Sequence, residues 1–141
     1  MNKQQKTEMY LAYLRRRGYN PELDEDGDIN FKKEGGIYLI FPDDTDDEYF
    51  SIVYPNFWKV ESDAERTRAL TACNLAIRVS KVVKVFLRQD SKNIWAAVEV
   101  FVVKPENFEE VFDRLMSALR NGVTTFADEM KKSSQLAPKK D

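Results

Sequence analysis

The sequence predicts an α+β domain: a five-stranded, mainly antiparallel sheet with helices largely on one face, the elements running α-β-β-β-α-β-β-α. Three observations carry that expectation. Apolar residues recur at three- and four-residue spacing near both ends of the chain and once in the middle; two clusters of short β-branched and aromatic runs lie between them. At 141 residues the chain is long enough for one core and short for two. Residues 1–132 are therefore expected to form a single domain, and SSQLAPKKD, 133–141, a flexible tail with little to pack.

From Thr7 to Arg17, Met9, Tyr10, Tyr13 and Leu14 share one helical face, and Gly18 follows where a helix readily ends in a left-handed turn. Three strands are expected next, over Asp28–Lys33, Ile37–Phe41 and Tyr49–Tyr54. Gly35 and Gly36 supply positive φ for the first connection, and Pro42 with DDTDDE a polar second one. SDAE, with Ser62 accepting from the Glu65 amide and Glu65 reaching back, reads as a capping box that opens a second helix to about Lys81. Val82–Arg88 and Ile94–Val103 are two further strands joined by QDSKN, and Pro105 ends that run. The last helix places Phe108, Val111, Phe112, Leu115, Met116, Leu119, Val123, Phe126 and Met130 on one stripe, with Gly122 as a point of loosening or kinking.

Charge and composition exclude several functions. With 22 Lys and Arg against 24 Asp and Glu, the net charge of −2 gives no field to gather a phosphate backbone, so no nucleic-acid partner is expected. No apolar run approaches the length of a membrane span, and the single cysteine, Cys73, fits a reducing compartment; a cytoplasmic protein without a membrane partner is expected. Histidine is absent, which removes histidine-dependent triads and the commonest ligand for transition metals.

The stretch DEDGDINF, Asp24 to Phe31, imitates a calcium loop. With Gly27 at the sixth position, Glu22, Asp24 and Asp26 fall on donor positions and Ile29 on the apolar one. The twelfth position is Lys33, a cation where a bidentate glutamate should close the site, so the stretch reads as an acidic turn feeding a strand. The second acidic run, Asp43 to Glu48, reads as a solvated turn. Arg15–Arg17 complement the dipole at a helix C-terminus, and Cys73 lies in an apolar stripe as a small buried side chain. Gly35–Gly36 lacks the lysine and the strand-to-helix context of a phosphate loop. No catalytic residue, cofactor or metal ligand is assigned, and an enzyme is not expected.

The informative feature is the sheet's second face. Along the expected last strand Ile94, Ala96, Val98, Val100 and Val102 alternate with Trp95, Ala97, Glu99, Phe101 and Val103, so both faces are largely apolar. An antiparallel sheet with one wet face shows cleaner polar alternation. Either the chain's own YPNFW segment or a helix covers that surface, or a partner does. Trp95, Phe101, Phe86, Phe57 and Trp58 are the expected partner-interface residues, since large aromatics bury much area at low ordering cost. A protein partner, and a homodimer in particular, follows. The rival expectation is a small-ligand or metal-binding regulator, using a pocket beneath the last helix or the Asp24–Asp28 turn.

GYNPELDEDGDINF, GIYLIF, EYFSIVYP, ALTACNLAIRVSKVVKVFL and VFDRLMSAL resemble the YbjN-like family, whose fold is related to that of type III secretion chaperones. The likeness spans most of residues 7 to 130. It implies the α-β-β-β-α-β-β-α fold, dimers as in the chaperone relatives, no established enzymatic activity, and a chaperone-like or regulatory role. Those chaperones hold an extended effector segment on hydrophobic surface.

Overall fold

The structure, a computed structural model, describes residues 1–136. Helix α1, Lys3–Arg16, starts earlier than its apolar pattern suggests because Asn2 caps it. The Asn2 Oδ1 accepts from the Gln5 amide at 2.8 Å while Gln5 Oε1 accepts from the Asn2 amide at 2.9 Å. Strands β1 (Glu22–Leu23), β2 (Ile29–Lys33), β3 (Gly36–Ile40) and β4 (Tyr49–Lys59) follow, then α2 (Asp63–Val79), β5 (Val83–Leu87), β6 (Asn93–Phe101) and α3 (Phe108–Leu136).

The sheet is antiparallel throughout and has six strands in the order β1-β2-β3-β4-β6-β5, not the expected five. The additional strand, β1, has only two residues, too few for any periodic pattern. It exists because the Asp24–Asp28 turn folds Glu22 and Leu23 back onto Asn30 and Ile29. Strand β4 also runs past its expected end at Tyr54. Pro55 and Asn56 sit in a bulge, with Asn56 at φ +49°, after which pairing with β6 resumes at Trp58.

All the helices lie against one face of the sheet. Alternate strand residues Ile29, Phe31, Tyr38, Ile40, Phe50, Ile52, Val83, Val85, Ile94, Ala96 and Val98 are buried there with the inner stripe of α3. Tyr10 and Tyr13 of α1 meet Phe108 edge-on at 4.9 and 5.0 Å between ring centres. Helix α3 runs unbroken through Gly122. A Cβ there would lie 2.9 Å from a Val83 methyl, so glycine lets the helix close on β5.

Other local expectations are corrected by the same geometry. Positive φ in the β2–β3 turn falls on Glu34 and Gly35, not Gly36; Gly36 instead leaves room for the Tyr54 hydroxyl, which a Cβ would approach to 3.0 Å. Ser62 caps α2, accepting from the Glu65 amide at 3.1 Å, but Glu65 does not return to the cap; its carboxylate accepts from Trp58 Nε1 at 3.3 Å. Arg16 and Arg17 bind across to α3, at Glu109 (2.6 Å) and Asp113 (2.9 Å), which clips α1 to α3. The helix continues to Leu136, through the first part of the expected tail; 137–141 lie outside the described residues.

Candidate functional site

The face of the sheet away from the helices is a shallow groove. Its floor is made of small side chains, Ser51, Val53 and Ala97, which larger neighbours shade from solvent. The register places Val53 beside Ala97 and Ala97 beside Lys84, and Ser51 beside Glu99, so the floor crosses β4 and β6 to β5. Phe41 and the Asp43–Thr45 turn form one wall; Lys84, Phe86, Arg88 and Trp95 form the other. The groove has a volume of about 550 Å³.

Each wall is held by identifiable contacts. Trp95 is fixed in three ways: its Nε1 donates to Asn56 Oδ1 at 2.7 Å, the Arg88 guanidinium lies 3.9 Å over its ring, and Phe86 packs beside it. The β4 bulge thus has a task on this face, since it presents Asn56 to the indole. Glu99 accepts from the Tyr49 hydroxyl at 2.5 Å and pairs with Lys84. Burial opposes ionisation of Glu99, but the bonds from Lys84 and Tyr49 outweigh it and hold the carboxyl below its ordinary range. Tyr49 is pushed up to about 12, first by burial and then by that carboxylate.

The acidic wall depends on Lys6, a residue that sequence patterns alone pass over. Its side chain is completely buried, and Nζ donates to the Asp43 and Asp46 carbonyls at 2.5 and 2.7 Å and pairs with Asp47 at 3.3 Å. The run expected to be a solvated turn is therefore wrapped around an internal cation. Asp43 Oδ1 accepts from the Thr45 hydroxyl and amide at 2.7 Å, and the same bonds lower its pKa. Only the lysine at a helical position before Tyr10 and Tyr13 hinted at this arrangement.

The five expected interface aromatics divide. Trp95 and Phe86 lie together on the open face, and Phe101, 81% exposed, stands at its end beside Tyr49. Phe57 and Trp58 sit beyond the bulge on the helix side, both edge-on to Phe126 at 5.4 and 5.6 Å. The YPNFW segment thus covers the α3 side and leaves the Trp95 side open.

The Asp24–Asp28 turn is held by its own backbone. Asp24 Oδ1 accepts from the Asp26 and Asp28 amides, both at 2.9 Å, and Gly27 takes φ +83°. Carboxylate oxygens of Asp24, Asp26 and Asp28 lie within 4.8 Å of one another. Burial, then Asp24, raises the Asp28 pKa, with Lys3 opposing. Glu22 belongs to β1 and Lys33 pairs with Gly36, so the twelve-residue loop the motif imitates does not form. Cys73 is buried and its thiol is pushed up to about 12 by desolvation, the state of an inert packing residue. No helix is long and apolar enough to cross a membrane among the described residues.

No family model matches the chain, and no curated protein matches its sequence. Solved structures do match. YbjN from E. coli, assigned as a candidate transcription regulator, superposes with a TM-score of 0.59 at 15% identity, over 93% of this chain and 95% of that one. This chain has a YbjN-like fold. A chain of the HopA1–SchA chaperone–effector complex matches with a TM-score of 0.58 at 12% identity, over 90% of this chain and 97% of that one. An uncharacterised protein from Methanothermobacter thermautotrophicus matches at 0.54 and 15% identity, over 92% and 97%. At these identities the likeness establishes the architecture alone.

Proposed function

We propose that this protein is a non-enzymatic protein-binding module, chaperone-like or regulatory, whose contact surface is the helix-free face of the sheet. The observation that carries this reading is Phe101, 81% exposed at the end of a groove floored by small side chains and walled by Trp95 and Phe86. An exposed aromatic at the end of a preorganised apolar floor suits a polypeptide contact, where aromatic anchors supply most of the binding energy. The chaperone–effector structure with the same fold supports a polypeptide partner.

A second copy of the chain is the partner that the charges fit. The groove has an acidic wall, Asp43 and Asp44, opposite a basic one, Lys84 and Arg88. A two-fold axis through the groove sets each acidic wall against the partner's basic wall, an isologous pairing.

Sedimentation and light scattering on wild type and Phe101→Asp test both statements. Dimeric wild type and a folded, monomeric variant are the expected result; a wild-type monomer ends the homodimer reading. For other partners, Trp58→Phe leaves Trp95 as the sole tryptophan. Its emission should shift to the blue when a reduced, carboxymethylated polypeptide is added. No change in either assay would count against the groove as a protein-binding surface.

A further inference from the structure

On the other side of the sheet, between β3, β4 and α3, lies a small polar cavity of about 160 Å³. Tyr38, Tyr54 and Thr124 line it with hydroxyls, and Arg120 stands at it with Glu34. Tyr38 is only 2% exposed. The Tyr13 and Tyr49 hydroxyls are partnered, by Arg17 and Glu99, whereas those of Tyr38 and Tyr54 have no hydrogen-bond partner among the described residues. Both hydroxyls are therefore free to donate to a bound ligand beside the Arg120 guanidinium.

The rings of Tyr38 and Tyr54 lie 4.7 Å apart, and Gly36 makes room for the second hydroxyl, since a Cβ there would lie 3.0 Å from it. Burial, followed by the neighbouring Tyr54 and Tyr19, pushes the Tyr38 pKa up to about 12, so it stays a protonated donor at neutral pH. The lining is therefore rich in donors: three hydroxyls and the Arg120 guanidinium. Its one carboxylate, Glu34, already pairs with Arg120. That pair is at the surface, with the Arg120 and Glu34 side chains 46% and 58% exposed, and Glu34 stands in the tight β2–β3 turn at φ +51°.

We infer that this cavity is a site for a small free oxyanion, inorganic phosphate being the simplest, which displaces Glu34 from Arg120 and accepts from the Tyr38, Tyr54 and Thr124 hydroxyls. Arginine binds carboxylate and phosphate oxygens with the same fork of N–H donors, so Glu34 marks the position that one edge of the anion takes. The cavity has room for a phosphate-sized anion. This site is independent of the protein-binding groove, which lies on the opposite face.

Phosphate titration of the full chain by calorimetry at constant ionic strength tests the inference. Wild type should bind one phosphate saturably. Glu34→Gln should bind about threefold tighter, because an exposed ion pair no longer competes. Arg120→Gln should lose at least about tenfold, and Tyr38→Phe about threefold, with melting temperatures near wild type showing that both remain folded. Absence of saturable binding in both wild type and Glu34→Gln overturns the site, as does Arg120→Gln binding like wild type. A phosphoserine peptide should compete no better than free phosphate; tenfold tighter binding of the peptide would overturn the assignment to a free ion.

Discussion

The two faces of the sheet are made by the same strands, yet one is closed by the helices and the other carries its aromatics in the open. On the closed face Phe57 and Trp58 meet Phe126, and each apolar ring is matched by another. On the open face Trp95 is braced by Asn56, Arg88 and Phe86, and Phe101, 81% exposed, has Tyr49 as its aromatic neighbour. Aromatic content alone does not separate a core from an interaction surface. The separation comes from whether a ring's neighbours belong to helices that close over it or to the same sheet and its edge loop.

The comparison can be broken most sharply at Phe126, which is fully buried. Phe126→Ala should lower stability by about 3–5 kcal/mol in urea unfolding, as large-to-small core changes do. Lys6→Met comes next, because it leaves the Asp43 and Asp46 carbonyls without their buried donor; a loss of about 1–3 kcal/mol is expected. Faster hydrogen exchange at the Thr45 and Asp46 amides should accompany it, which would tie the acidic wall of the open groove to a lysine on α1. Unchanged exchange there would show that the loop holds its shape without Lys6.

Compared at a protein concentration where wild type is also monomeric, Phe101→Asp should move stability by less than about 0.5 kcal/mol, the range for exposed positions. A large loss between the two monomers would mean that Phe101 is part of the monomer's core. The smallest effect concerns pH. Glu99 has a folded pKa below its ordinary 4.5, so its contribution to stability is present above that value and is lost as pH falls through the depressed pKa. Glu99→Gln should therefore flatten the decline in melting temperature below about pH 4.5 while leaving the neutral-pH slope unchanged.

Much of this was legible in the chain. Alternation along Ile94–Phe101 located both sheet faces, and the period of α3 from Phe108 to Met130 located the layer that covers one of them. The reading that DEDGDINF is a turn agrees with the amides that converge on Asp24. Phe57 could not be assigned to its face, because the Pro55–Asn56 bulge turns it to the side that Tyr54 and Trp58 share, which strict alternation denies to adjacent residues. Lys6 left only a trace in the sequence, its place on the helical stripe of Tyr10 and Tyr13, because a lysine there ordinarily faces solvent and its carbonyl partners lie 37 and 40 residues away.

By itself, then, the sequence determined the α+β class, the element order apart from a two-residue strand, and the presence of apolar residues on both sides of one strand. Periodicity is local, and each of these follows from side-chain direction along a few residues. Only the tertiary structure decided which face the helices close, which aromatics remain outside, and that hydroxyls from β3, β4 and α3 meet beside Arg120. Those outcomes depend on contacts between residues far apart in the chain, where a bulge, a glycine or a buried cation sets which side chains meet.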